Sequence, residues 1–532
     1  HTAPSAFAAL GTPADPSYIP FLRERIVESL VQAEKNLQPA RYGWGTTDAS
    51  EFTALRRWVL RPDRVRTDPF GNPTVRATMH SARNLDDVTG PSGPEDPDLS
   101  MLAFESLRGQ PIAVLANFSM HYFGDAPISA DYFGLFCDGL EEHLGKATDK
   151  ESTSSRRVVG VLSHGCSGDI WRRDYTTWKG TDSATIESYT QGLLKIATEL
   201  YNSIEFVPGN GIAMAEKRIP LRYRVPDQQR LQWAQQVVDA FEKDLPSNQT
   251  EVYANEQILL HQMQSTEVVV QAIRIGDVAI ATTPNETYAL TGLKLKLRSP
   301  IEKTMVIELA NGADGYIPPP EQHHLGGYNT WEARSAGLEV TAEPKITATA
   351  LALLERVTGM PRRNHRQSAG PAAQAILEQG PIAYWRLDEM EASSAADASS
   401  NHHEGIFEQG VTFFLEGPQN AGYTGDGSIN RCVQFAGGRM RARLENLGDN
   451  YTVVLSIWNG MPVDARETTG WLFSRDHNHA ISGYGDHLGI GGTRTQSGKL
   501  IFQYGDGEPA VGKTHIPRWT WNRVMIVLQD RT

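Results

Sequence analysis

The chain has 532 residues, a formal net charge of −13 and three cysteines, with 40% hydrophobic and 21% charged residues. That length points to about two to four domains with apolar content for real cores. The acidic balance, with no Lys/Arg-dense block, excludes nucleic acid and anionic membrane surfaces as partners. No apolar run is long enough to span a bilayer, and Cys137, Cys166 and Cys432 are too few and too scattered for a disulfide framework or a structural zinc cage.

From the N-terminus, "YIPFLRERIVESLVQAEKNL" puts Phe21, Leu22, Ile26, Leu30 and Val31 on one helical face. "DSATIESYTQGLLKIATELYNSI" does the same with Ile186, Tyr189, Leu193, Ala197 and Leu200. Between such helices lie the strand-like runs "PIAVLANF", "RRVVGVLS", "EVVVQAIRIGDVAIATT" and "TMVIELA", the third with a hairpin signal at Gly276-Asp277. Helices mixed with buried strands predict a layered α/β, mixed-sheet α+β domain over residues 1–360. The basic stretch that follows, with its Pro and Gly residues, reads as a linker over 361–379. Residues 380–532 lack helical period and carry short strands between Gly, Asp and Asn turns, which predicts an all-β sandwich. The chain opens without an initiator methionine or signal peptide and stops just beyond a strand, so it reads as a piece of a longer polypeptide.

Four apolar strands end in polar clusters. "AVLANFSMH" delivers His121, followed by Asp125 and Asp131; "VVGVLSHGCSGDIWRRD" delivers His164, Ser167 and Asp169. "VAIATTPNE" delivers Glu286, and "VIELANGADGY" delivers Asn311, Asp314 and Tyr316. Ligand sites in α/β domains favour strand ends, where side chains leave the sheet and converge. A histidine, a glutamate and a tyrosine form an N/O donor set suited to catalytic zinc with an open position. Each residue also has a structural reading: His121 as a capped strand end, Glu286 as a helix cap in "PNET", Tyr316 as a core aromatic. "SHGCSGDIW" is not a nucleophile elbow; it reads as a Gly-rich turn carrying Asp169, with Cys166 packed beside it. The doublet Arg56-Arg57 offers an oxyanion clamp or a solvated face.

Together "HTAPS", "ANFSMH…ISADYFG", "SHGCSGDI", "PNET" and "ELANGADGYIPPPEQHHLGGY" resemble, in content and order, the neutral, non-lysosomal ceramidases over residues 1–360. From "PIAYWRLDE" through "DASSNHHEGIF" the chain resembles laminin-G-like, concanavalin-type jelly-roll modules. The first resemblance implies a Zn2+-dependent amidase, with His121, Glu286 and Tyr316 as metal ligands and Asp131 as support behind them. It implies Tyr328 and Arg57 at the tetrahedral intermediate, and His1 or Asp169 in proton transfer. "HTAP" aligns with the second histidine of the family's opening motif, so the first zinc-binding histidine would lie upstream. Trp171 stands where the family has a serine, and a lectin-like module replaces its C-terminal immunoglobulin-like domain. The implied substrate is therefore an N-acylated lipid or glycan, with a polysaccharide as a partner of the C-terminal module. A carbohydrate esterase or deacetylase on the same metal site, and a non-catalytic extracellular carbohydrate-binding protein, are the competing readings. Ca2+ held by Asp397 and Asn401 competes with a plain Asx turn in "DASSN". The implied location is secreted, periplasmic or at the cell surface.

Overall fold

The computed structural model describes residues 16–530 except 127, 147–156, 178–183, 210, 243–245, 313, 392, 421, 446, 477–484, 495 and 506. The first sheet runs Phe206–Pro208, Ala40–Asp48, Asp98–Ser106, Pro111–Phe118 and Val159–His164 in spatial order. Its last pair is parallel, with Phe118 opposite His164. A parallel pair needs a crossover, and the helix Asp131–Lys146 provides it. A second sheet orders Ile212–Arg222, Ser265–Ile275, Val278–Thr282 and Thr304–Ile307, again with its last pair parallel. Its crossover is the helix Ala289–Arg298.

Strand alternation sends the two faces of each sheet to different partners. In the first sheet Leu99, Met101, Ala103, Val114, Ala116 and Phe118 pack under the helices Asp131–Lys146 and Ile186–Ser203. The intervening Leu102, Phe104 and Leu115 meet Val278, Ile280 and Met305 of the second sheet. The helix Ala342–Thr358 covers that sheet's far side through Ile346, Ala350, Leu351 and Leu354. The result is helix, sheet, sheet, helix: the mixed α/β architecture expected, with both parallel pairs opening their C-terminal ends toward one region. Tyr189, Leu193, Ala197 and Leu200 are buried as their spacing requires, each large apolar side chain contributing about 1.5–3 kcal/mol. The helix Tyr18–Lys35 forms where its period predicts, yet none of its residues is buried, because no described element covers its apolar stripe.

The stretch 361–379 contains the helix Pro371–Glu378 and is anchored on both sides: Arg363 donates to Ser299 O and Lys296 O, and Gly370 N–H to Tyr423 O. Beyond it the described residues form strands, including the four-stranded sheet Thr468–Asp476, Gly485–Gly491, Lys499–Tyr504 and Ala510–His515. Leu290 and Leu293 share a core with Met390, Val411, Phe413 and Phe414. Trp519 stacks edge-on against Trp58, with ring centroids 6.2 Å apart.

Candidate functional site

His121 lies three residues beyond the strand Pro111–Phe118 and is 7% exposed. Its ring centroid is 6.5 Å from that of His164, the last residue of the neighbouring parallel strand. The turn after His164 closes against both strand systems because two positions carry no side chain. A Cβ on Gly165 would sit 2.3 Å from Ser119 Oγ, and one on Gly168 would sit 2.8 Å from Glu286 O. Gly168 N–H instead donates to Thr287 O at 2.8 Å, docking the turn on the strand Glu286–Thr287.

Glu286 and Tyr316 are register partners in a short parallel pair. The backbone around them is unusual: Asn285, Leu309 and Asn311 all have φ near +60°, held by Leu309 N–H to Asn285 O and Ala310 N–H to Thr283 O. Such conformations cost roughly 1–3 kcal/mol each and persist where the surroundings over-determine them. Oε2 of Glu286 is buried with no hydrogen-bond partner. Burial raises its pKa, against the opposing pull of Arg56, Tyr316 and His164.

Arg56 stands among these groups. Its Nη2 donates to Tyr316 Oη at 3.3 Å and to Gly168 O at 2.9 Å. Burial works against its charge, but Tyr316, Tyr328 and Glu286 outweigh that and hold its pKa above the usual value. Tyr328 packs edge-on against Tyr316, with centroids 5.7 Å apart. Arg57 is fully buried and points to a different place: its Nη2 donates to Gln322 O and Gly326 O. It thereby fixes the loop that delivers Tyr328. Burial lowers the pKa of Arg57 despite Tyr288, Asp169 and Tyr328 nearby.

The histidines here are neutral at pH 7. Burial first, then Arg56, His164 and His80, push His121 down to about 2. Burial pushes His164 down to about 4, with Glu286 pulling the other way. Nδ1 of His164 meets Ser167 Oγ at 3.1 Å, and Ser167 donates to the buried Glu308 at 2.6 Å. Asp169 is buried, accepts Ala289 N–H at 2.9 Å and so caps the helix Ala289–Arg298; burial lifts its carboxyl to about 7. Tyr316 is likewise raised, chiefly by burial.

Asp131 was expected behind the metal ligands, and in the structure it bonds backbone groups of the loop that follows His121. Its carboxylate accepts the N–H groups of Phe123, Gly124, Asp125 and Tyr132, at 2.7, 2.9, 3.0 and 2.8 Å. That ties down the loop immediately after His121, at a φ of +53°. His1 lies outside the described residues. Asp397 and Asn401 are far along the chain in a separate turn: Asp397 accepts from Tyr384, Ser399 and His403 N–H groups and the Ser399 hydroxyl, while Asn401 Nδ2 donates to Pro381 O and Ile382 O.

His80 was not singled out by the sequence, because it follows no motif. It sits at a left-handed turn (φ +60°), its Nδ1 2.6 Å from Tyr175 Oη and its ring edge-on to Trp171 at 4.9 Å. Trp171 in turn donates from Nε1 to Tyr122 O at 3.3 Å, beside His121. The indole thus forms one wall of the site.

Among the described residues, no group of three or more His, Cys, Asp or Glu side chains is placed to hold a metal ion. Of the three residues expected to hold zinc, His121 and Glu286 are of those types and Tyr316 is a phenol, the last two being register partners. Oε2 of Glu286 is a buried donor atom left open in this set, on a carboxylate that Arg56 and Tyr316 already support. Among the described residues, no helix is long and apolar enough to cross a membrane.

No family model matches the chain, and no curated protein matches it. Among solved structures, the neutral ceramidase from Pseudomonas aeruginosa is similar with a TM-score of 0.44 and 14% identity, over 64% of this chain and 56% of that one. A ceramidase complexed with C2 gives a TM-score of 0.41 and 14% identity, over 64% of this chain and 57% of that one. The chain thus spans little more than half the length of the structures it matches.

Proposed function

We propose that the chain is a zinc-dependent hydrolase of N-acyl amide bonds. The observation that carries this reading is the buried Glu286 carboxylate, whose Oε2 has no hydrogen-bond partner and which meets the side chain of its register partner Tyr316 and the charge of Arg56. A buried carboxylate costs stability, and functional sites are where such costs are retained. The motif order that resembles neutral ceramidases supports the same chemistry. His121, Glu286 and Tyr316 would hold the zinc, whose contribution when bound is Lewis-acid polarisation of a carbonyl oxygen and acidification of a water.

The protein's own groups account for the rest. Arg56, held by Tyr316 and Gly168 O, presents a fixed positive charge where an oxyanion develops, and the Tyr328 hydroxyl is the second donor. Arg57 positions Tyr328 through the loop at Gln322 and Gly326. His164 is neutral at pH 7, and with Nδ1 engaged by Ser167 it keeps Nε2 for moving a proton toward the leaving amine. Asp169, occupied by the helix N-terminus, holds Arg56 in place through its own carbonyl, which accepts Arg56 N–H at 2.9 Å.

The strand-rich C-terminal part enters this proposal as a jelly-roll module that docks the enzyme on a polysaccharide or another surface. A secreted, periplasmic or cell-surface location belongs to the same reading. The test is hydrolysis of N-acyl substrates by the chain and by E286A. Release of free amine by the parent, abolished in the variant, is the expected result; equal release by both would overturn the assignment.

A further inference from the structure

Behind His164 a line of hydrogen bonds runs inward to an acid. Glu308 follows the strand Thr304–Ile307 and donates its N–H to His164 O at 3.1 Å, which pins the two backbones side by side. Its side chain returns to the same histidine. Ser167 Oγ donates to Glu308 Oε1 at 2.6 Å, and His164 Nδ1 lies 3.1 Å from Ser167 Oγ and 3.5 Å from Glu308 Oε1. The hydroxyl of Thr287, next to Glu286, donates to the other oxygen of Glu308 at 3.4 Å. Phe133, from the helix Asp131–Lys146, lies against the imidazole with ring centroids 4.7 Å apart, so packing and bonding together hold the ring. The Glu308 side chain is 1% exposed, whereas that of His164 keeps 19%.

A hydroxyl has one proton to give. Ser167 gives it to Glu308, so its oxygen can only accept from His164, and Nδ1 must carry the hydrogen of the neutral ring. Burial holds the Glu308 carboxyl well above the usual carboxylate range. A proton resting on Oε2, the oxygen that faces Thr287, leaves Oε1 an acceptor for Ser167 in either state. Among the described residues no lysine or arginine forms an ion pair with this acid. A carboxyl buried so deeply is a costly way to tie two loops together, since a second hydroxyl would do so with less desolvation. An amide would be ambiguous, because its NH2 could face Ser167 and reverse the line. What the acid adds is direction.

We propose that Glu308, acting through Ser167, is a positioning residue that fixes His164 as the Nδ1–H tautomer and leaves Nε2 bare as the proton acceptor of the site. This rests on the amide-hydrolase reading above and deepens it, because a histidine that passes a proton to the leaving amine has first to take one up. Nε2 takes that proton from the water whose oxygen bonds to the carbonyl carbon. It then delivers the proton to the nitrogen of the breaking C–N bond, and the hydrogen on Nδ1 stays in place throughout.

The test reads the tautomer directly, by nitrogen-15 NMR of the chain labelled at histidine, with H164Q identifying the His164 signals. At neutral pH the parent should carry hydrogen on Nδ1 and none on Nε2. E308A should release the ring into a mixture of both tautomers and lower kcat about 10–100-fold with KM within about twofold. E308Q, which keeps the size of the side chain, gives a second reading if E308A does not fold, and a share of the Nε2–H form is expected there. A parent with hydrogen on Nε2, or a folded E308A protein with either tautomer or kcat unmoved, would overturn the proposal. If the parent cleaves no N-acyl amide, the hydrolase reading fails on its own and the tautomer decides this one. Hydrogen on Nδ1 in the parent, released in the Glu308 variants, then upholds the positioning role, and hydrogen on Nε2 removes it.

Discussion

Two polar clusters in this molecule looked alike as sequence and differ as structure. Around Asp397 the side chains work within the turn: the carboxylate takes three backbone N–H groups and a hydroxyl, and Asn401 donates to two carbonyls. Around Glu286 the fold leaves a buried carboxylate oxygen without a partner, surrounds it with left-handed residues and places a guanidinium nearby. The first arrangement stabilises a loop. The second leaves a buried carboxylate oxygen open, as the proposed site requires, and satisfaction of hydrogen bonds, more than residue type, separates them.

The contrast is sharpest when each cluster loses its carboxylate. E286A is expected to lower kcat/KM by about 10³ or more while shifting the melting temperature little, since the desolvation cost of the buried carboxylate is removed together with its interactions with Arg56 and Tyr316. A variant that melts earlier and keeps activity would reverse the assignment. R56Q should lower kcat by about 10²–10³ at constant fold. R57Q should destabilise more than R56Q, because two buried carbonyls lose their donor rather than one; thermal melts of the two variants side by side check this. D397A should cost roughly 2–4 kcal/mol of stability by chemical denaturation and leave amide turnover intact.

The smallest effect concerns pH. The carboxyl of Asp169 is raised to about 7 in the folded chain from 3.8, so the folded state binds its proton more tightly than the unfolded state does. That contribution is fully present below about pH 4 and is lost as pH rises through about 7, worth on the order of a few kcal/mol at most. D169N keeps an oxygen for Ala289 N–H and removes the titration. Melting temperatures of parent and D169N should therefore diverge between pH 5 and 8, with the parent declining more; parallel curves would contradict the shift.

Much of this fold is legible in the sequence because burial imposes a period. Ile186 to Leu200 and the runs ending at Phe118 and Thr282 have only one way to hide their apolar faces. The helix Tyr18–Lys35 shows the limit, since periodicity states which face is apolar and not whether anything covers it. The convergence of strand ends was legible where an apolar run ends in a polar residue, as at His121 and His164, whose ring centroids lie 6.5 Å apart, and at Glu286 and Tyr316, which are register partners. It was not legible at Arg56 and Arg57, whose adjacent side chains go to different partners, so composition cannot say which one reaches Tyr316. His80 was hidden for another reason: it meets Trp171 through folding of distant segments, and no spacing records that.

The most direct measurement is the metal content of the purified chain, read by mass spectrometry together with amine release from an N-acyl amide, beside an H121A/E286A double variant. The account predicts about one zinc per chain, lost in the double variant together with hydrolysis, in a protein that remains folded. A folded, metal-free parent chain that does not cleave the amide would contradict it.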